Sequence, residues 1–144
     1  MEKVCIQPYY RKAYYYETDQ MGIVHHSNFI RWLEEARIES MNQWACPYKK
    51  MEEEGILIPV LEVQCTYKSM VTFEEPLAIW VQPLSFNGIK VSFSYEVKNK
   101  ETKAIKAKAR TSHCFLNKDK RILNLKKENP KLYKQFSKFF SQGT

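Results

Sequence analysis

Hydrophobic and polar residues alternate along this chain with two different periods, and the change falls at Gly55. Before it the repeat is helical. From Asn28 to about Ala45, Phe29, Trp32, Leu33, Ala36, Ser40 and Trp44 fall near helical spacing, with Arg31, Glu34, Glu35 and Glu39 on the polar side. Ser27 or Asn28 is placed to cap the first turn and Pro47 to stop the helix. Tyr48 to Glu54 reads as a short further helix closed by Gly55. Ahead of the long helix, Arg11 to Tyr16 holds three tyrosines and reads as a first strand, running into a Glu17–Ser27 loop.

After Gly55 the period is two. Leu61, Val63, Cys65 and Tyr67 alternate with Glu62, Gln64, Thr66 and Lys68. Leu77, Ile79 and Val81 begin the next strand, where Pro83 points to an edge or a bulge. Ile89, Val91, Phe93, Tyr95 and Val97 form a third apolar row, and Ile105, Ala107, Ala109, Thr111, His113 and Phe115 a fourth. Asn87-Gly88 and Asn99-Lys100-Glu101 separate strands as turns, so the run is an antiparallel meander. Asn129-Pro130 is a cap followed by a first-turn proline. It opens a last helix over about 129–141, with Leu132, Phe136, Phe139 and Phe140 on one face.

An antiparallel sheet with one apolar face needs a cover, and the single long helix is the available one. The expected class is therefore α+β, an antiparallel five-stranded sheet wrapped around a long central helix. A ferredoxin-like sandwich wants a second long helix between strands, and none is visible. No linker or repeat divides the chain, so 1–144 is expected to be one domain with its core at about 8–125.

At 144 residues the chain is long enough to bury roughly 68–70% of its unfolded surface. The net charge of +7, mostly from lysine, suits a polyanion: nucleic acid, an anionic membrane surface, or a small ligand such as a coenzyme A ester. No arginine cluster or recognition motif supports the nucleic-acid option. Cys5, Cys46, Cys65 and Cys114 lack metal-ligand spacing and read as free thiols in a reducing cytoplasm. No stretch has the ~20 apolar residues that span a bilayer, and no secretory leader is seen. A soluble cytoplasmic protein is expected.

The chemistry concentrates between Glu17 and Phe29. Asp19 is either an ordinary turn-forming or capping carboxylate or a catalytic one. Gly22 lets the chain take a positive φ or come close to a ligand. Ile23 and Val24, apolar in a loop, imply that the loop is tucked against something. His25-His26-Ser27-Asn28 then opens a helix whose N-terminus carries partial positive charge and free N–H donors. A carboxylate beside such donors is equipped to attack, or to activate water against, a carbonyl group. The two histidines remain open between acid–base chemistry and packing; as a metal pair they lack a suitably spaced third ligand. His113, among apolar positions, reads as a core or interface histidine. There is no G-x-S-x-G elbow and no phosphate-binding glycine motif.

The run Tyr14-Tyr15-Tyr16-Glu17-Thr18-Asp19-Gln20-Met21-Gly22-Ile23-Val24-His25-His26-Ser27-Asn28-Phe29, continued by Arg31-Trp32-Leu33-Glu34-Glu35-Ala36-Arg37, closely resembles hotdog-fold acyl-CoA thioesterases. It is similar to the 4-hydroxybenzoyl-CoA thioesterase branch, which includes enzymes associated with the Tol–Pal system. The resemblance implies hydrolysis of an acyl-CoA without metal or organic cofactor. It makes Asp19 the catalytic carboxylate, as nucleophile or as general base, and the backbone N–H of His26 the oxyanion donor. A non-catalytic acyl-CoA or acyl-carrier-protein binding module on the same scaffold is the alternative.

Gly22 and Val24 are the loop's expected substrate contacts. The resemblance further implies a homodimer or homotetramer with sites at the subunit interface. The acyl pocket would be lined from the partner chain by residues near Tyr67, Lys68 and Ser69. Lys90 is a candidate for the coenzyme A phosphates, against a plain solvated role. Two departures lie near the pocket mouth: Met70 stands where many relatives have proline, and Glu74-Glu75 replaces an Asp-rich turn.

Overall fold

The structure, a computed structural model, describes residues 7–44 and 48–142. Cys5, Cys46 and the helix stop assigned to Pro47 lie outside the described residues. Five strands, β1 (Tyr9–Lys12), β2 (Val60–Tyr67), β3 (Pro76–Phe86), β4 (Lys90–Asn99) and β5 (Ile105–Cys114), make one antiparallel sheet in the order β1-β3-β4-β5-β2. The helices are α1 (Ser27–Gln43), α2 (Tyr48–Glu53), α3 (Leu125–Glu128) and α4 (Pro130–Gln142).

The sheet closes around α1. Phe29, Trp32, Leu33, Ala36 and Met41 of the helix share one buried cluster with Leu77, Ile79, Val81, Val91, Phe93, Val97 and Ala107 of the strands. The helical and two-residue periods thus meet on one core, as the patterning predicts. At the far end of α1, Trp44 stacks on Phe139 of α4 with ring centroids 3.5 Å apart. Asn129 accepts the Leu132 N–H and Pro130 opens α4, so the capping signal is followed literally. The single turn of α3 is an addition that no apolar period announces.

Several local expectations are met. Asn87 Oδ1 accepts the N–H groups of Ile89 and Lys90, and Gly88 takes φ +92°. The β3–β4 register shifts between Pro83 and Ser85, so the proline marks a bulge. It also tolerates the missing N–H because β1 pairs with β3 only from Pro76 to Ile79 and leaves that flank open.

Two expectations fail. The first strand is Tyr9–Lys12, not Arg11–Tyr16; the chain leaves the sheet after Lys12 and Tyr15–Glu17 forms a 3-10 turn that carries the Glu17 carboxylate inward. Neither Ser27 nor Asn28 caps α1. His26 is the N-cap residue without a side-chain cap bond, and Asn28 instead reaches back to the carbonyls of Glu17 and His25.

The link from β2 to β3 crosses from one edge of the sheet to the strand beside the opposite edge, and it builds the site. Along the way Val71 O accepts the Val24 N–H at 2.8 Å, and Phe73 N donates to Gly22 O at 3.1 Å. The crossing segment is thereby sewn to the Asp19–His25 loop at the N-terminus of α1.

Candidate active site

The loop from Glu17 to His25 is a small hairpin. Glu17 O accepts His25 N–H at 3.0 Å at its base, and Asp19 N donates to Ile23 O at 2.8 Å nearer its tip. Gly22 sits at the tip with φ +75°, and a Cβ there would meet open space. Glycine is needed for the backbone angle, not for a close approach.

Asp19 is exposed on the hairpin. Its Oδ1 accepts the N–H groups of Met21 at 2.8 Å and Ile23 at 3.2 Å, which is the ordinary Asx-turn role. That role uses one oxygen, and among the described residues Oδ2 has no hydrogen-bond partner. At the start of α1, Asn28 N donates to His25 O, Phe29 N to His26 O, and Ser27 N to the His25 ring at Nδ1. Among the described residues the His26 N–H is left without an acceptor, at the positive end of the helix.

Both residues line one cavity of about 420 Å³. Its walls come from the hairpin and helix (Asp19, Ile23, Val24, His25, His26, Phe29) and from the crossing segment (Tyr67, Lys68, Ser69, Met70, Val71). Six residues singled out from sequence therefore converge: Asp19, Val24, His26, Tyr67, Lys68 and Ser69. Tyr67, Lys68 and Ser69 line this cavity from the same chain as Asp19. Gly22 does not line the cavity. Lys90 pairs with Cys114 at the opposite end of the sheet from Tyr67, roughly 20 Å away along β4.

Tyr67 shapes the cavity more than it reacts in it. Its hydroxyl donates to His26 O at 3.2 Å, and its ring stands edge-on to Phe29 with centroids 5.1 Å apart. Burial, then the neighbouring Cys65, raises its pKa, so the phenol stays protonated. The His25 and His26 rings lie 4.2 Å apart, and His25 Nδ1 is 2.8 Å from Ser27 Oγ. Met70, the departure at the pocket mouth, is exposed, and its carbonyl accepts from Lys106 Nζ at 3.0 Å. Lys106 also pairs with Glu75 at 2.9 Å. Burial alone would raise the Glu75 pKa. Hydrogen bonds from Asn99, Lys106 and the Thr72 N–H outweigh it and hold the carboxyl below the usual range.

Sequence reasoning missed two buried charges. Glu17, 2% exposed, accepts from Arg11, Trp32 and the Tyr14 N–H. Arg37, also buried, reaches His113 at 3.3 Å in the core. The one available signal was the tryptophan of the helix motif, whose indole N–H needs a buried acceptor. His113 is a core residue as expected, fully buried with Nε2 2.8 Å from Thr111 Oγ1. Among the described residues no group of three or more His, Cys, Asp or Glu side chains could hold a metal ion.

The sequence matches the thioesterase-like superfamily over residues 15–139. The chain belongs to that superfamily. Its sheet and central helix are the hotdog fold, and by family it is a thioester hydrolase. A protein of Aquifex aeolicus (strain VF5) named as an esterase is 38% identical over 120 residues, covering 83% of this chain and 91% of its own. YneP of Bacillus subtilis (strain 168), named as an acyl-CoA thioesterase, is 33% identical over 107 residues, covering 73% of this chain and 75% of its own. Among solved structures, the DHNA-CoA thioesterase of Staphylococcus aureus superposes with a TM-score of 0.87 at 24% identity, covering 94% of this chain and 91% of that one. At that identity the likeness concerns the fold.

Proposed function

We propose that this protein is an acyl-CoA thioesterase in which Asp19 supplies the reacting carboxylate and the His26 backbone N–H binds the oxyanion. One observation carries the reading: Asp19, with a carboxylate oxygen unengaged, and His26, with its backbone amide unengaged, line the same cavity. The thioester carbonyl oxygen accepts from the His26 N–H at the positive end of α1, where such a donor typically lowers the barrier by ~2.7–4 kcal/mol. Asp19 then either attacks the carbonyl carbon, expelling the coenzyme A thiolate and leaving a mixed anhydride that water opens, or draws a proton from a water that attacks directly. The His25 and His26 rings act as cavity wall in this scheme.

The motif from Glu17 to Phe29 supports the 4-hydroxybenzoyl-CoA thioesterase type of site. Phe29, Val24 and Tyr67 contact the acyl part, and Lys68 at the lip is the chain's own cation for the coenzyme A phosphates. Lys90 reaches the nucleotide only from a second copy. The unpaired edge of β2, with exposed Val60, Leu61 and Tyr67, supports a homodimer joined along that edge. No described helix is long and apolar enough to cross a membrane. Cys65 and Cys114 are free thiols, in keeping with a reducing cytoplasm.

A thiol-trapping assay over aliphatic and aromatic acyl-CoA esters tests the proposal. Thiol release above the uncatalysed rate, with turnover beyond one equivalent, is expected. Stoichiometric binding without release would make the protein a binding module and overturn it.

A further inference from the structure

We propose that Glu17 is the positioning residue of this site, holding the Asp19 carboxylate and the His26 amide at a fixed separation. The inference rests on the thioesterase reading above and deepens it. Glu17 is 2% exposed and does not line the cavity, so it acts through its neighbours, not on substrate.

Its backbone carbonyl is the first part of the device. That one oxygen accepts His25 N–H and Asn28 Nδ2, each at 3.0 Å. Asp19 follows Glu17 by two residues and His26 follows His25 by one. The Glu17–His25 bond therefore sets how far the acid lies from the amide, while Asn28 fastens the same point to the first turn of α1.

The side chain is the second part. Oε1 accepts Arg11 Nη2 and Tyr14 N, and Oε2 accepts Trp32 Nε1, all at 2.8 Å. These donors come from β1, from the turn itself and from α1, so they fix the residue in three directions. Arg11 is held in turn: Nη1 bonds Glu35 at 3.1 Å, and its guanidinium lies 4.8 Å from the Trp32 ring centroid and 5.0 Å from that of Tyr14. Glu35 also accepts the Tyr9 hydroxyl at 2.9 Å.

Stability alone does not call for this arrangement. Burying an ion pair costs desolvation that well-packed apolar residues avoid, and such a swap is often neutral or favourable. What an apolar residue would lose is direction: three short charge-assisted bonds leave the hairpin base one position. Displacement of about 1 Å in a reacting group typically costs on the order of 100-fold in rate.

The test measures kcat and KM for an acyl-CoA ester, together with coenzyme A affinity, in full-length Glu17→Gln and Asp19→Asn, well below the melting temperature of each. Glutamine keeps the shape but turns an amide N–H toward Arg11 or Trp32. The expected result is a kcat lowered about 30- to 100-fold in Glu17→Gln, with KM and coenzyme A affinity within about twofold of the parent. Cooling further should not restore the rate, as it would if the variant were only less stable. Parental kcat in Glu17→Gln beside an inactive Asp19→Asn overturns the positioning role and leaves the thioesterase reading intact. Parental kcat in both removes the reading beneath it as well. If Glu17→Gln does not fold, Arg11→Met takes its place. It keeps contact with the Trp32 and Tyr14 rings and removes one donor. A kcat about 10-fold lower at unchanged KM is then expected, and a parental kcat overturns the proposal.

Discussion

The Trp32 indole N–H donates to the buried Glu17 carboxylate at 2.8 Å, joining the second turn of the central helix to the turn that carries the acid loop. Trp32 is fully buried, so the bond is out of competition with water. Trp32→Phe removes a donor from a buried charge and leaves a partial void. A loss of about 2–4 kcal/mol in unfolding free energy is expected in urea titrations. Trp80→Phe, on the half-exposed outer face of β3, should change it by less than about 1 kcal/mol.

Gly22 holds φ +75° where a Cβ would touch nothing. The cost of a side chain there is purely a backbone cost. Gly22→Ala should destabilise by about 1–2 kcal/mol, and Gly22→Asn by less, because asparagine tolerates the left-handed region. Equal losses in the two variants would mean that space, not angle, selects glycine here.

Acid should weaken the fold through His113. Burial first, and the Arg37 guanidinium second, push its pKa from 6.5 down to about 3. Between those values the unfolded chain binds a proton that the folded chain refuses. The contribution is therefore complete above pH 6.5 and is lost as pH falls through the window, at up to ~1.4 kcal/mol per pH unit. Glu75, held below the usual carboxylate range, loses its contribution in the same direction. Urea unfolding of parent and His113→Gln across this range separates the two: the parent should show the steeper fall, and parallel curves would contradict the assignment.

Lys106 ties the pocket rim, bridging Met70 O at 3.0 Å and Glu75 at 2.9 Å with little exposure. Lys106→Met frees the segment that carries Ser69 and Met70. Steady-state kinetics should give a KM for acyl-CoA raised several-fold with kcat less affected, and a stability loss of about 1–3 kcal/mol.

Much of this molecule was legible from periodicity because its core obeys it. The row from Ile89 to Val97 and the stripe from Phe29 to Trp44 each bury one face, and the two faces meet. The run Tyr14–Tyr16 misled for the opposite reason: aromatic residues favour strands, but a tertiary demand, the seating of Glu17 against Arg11 and Trp32, bends the chain out of the sheet. Burial of Glu17 and Arg37 could not be seen in a polar/apolar pattern, since each is charged and acquires its partners only across the fold. The hairpin half of the cavity was visible in the Asp19–His26 run. Its other wall, Tyr67 to Val71, depends on where the β2–β3 crossing passes, and a strand order is not written in any local repeat. That same order carries Lys90 to the far end of the sheet.

The most direct test of the account is steady-state thiol release from an acyl-CoA ester by Asp19→Asn beside the parent, with folding of both verified by circular dichroism. Asparagine still offers an oxygen to the Met21 and Ile23 N–H groups, so the hairpin should persist while the negative charge is gone. A rate at least about 100-fold below the parent at unchanged melting temperature is the predicted result. Hydrolysis at the parental rate would contradict it.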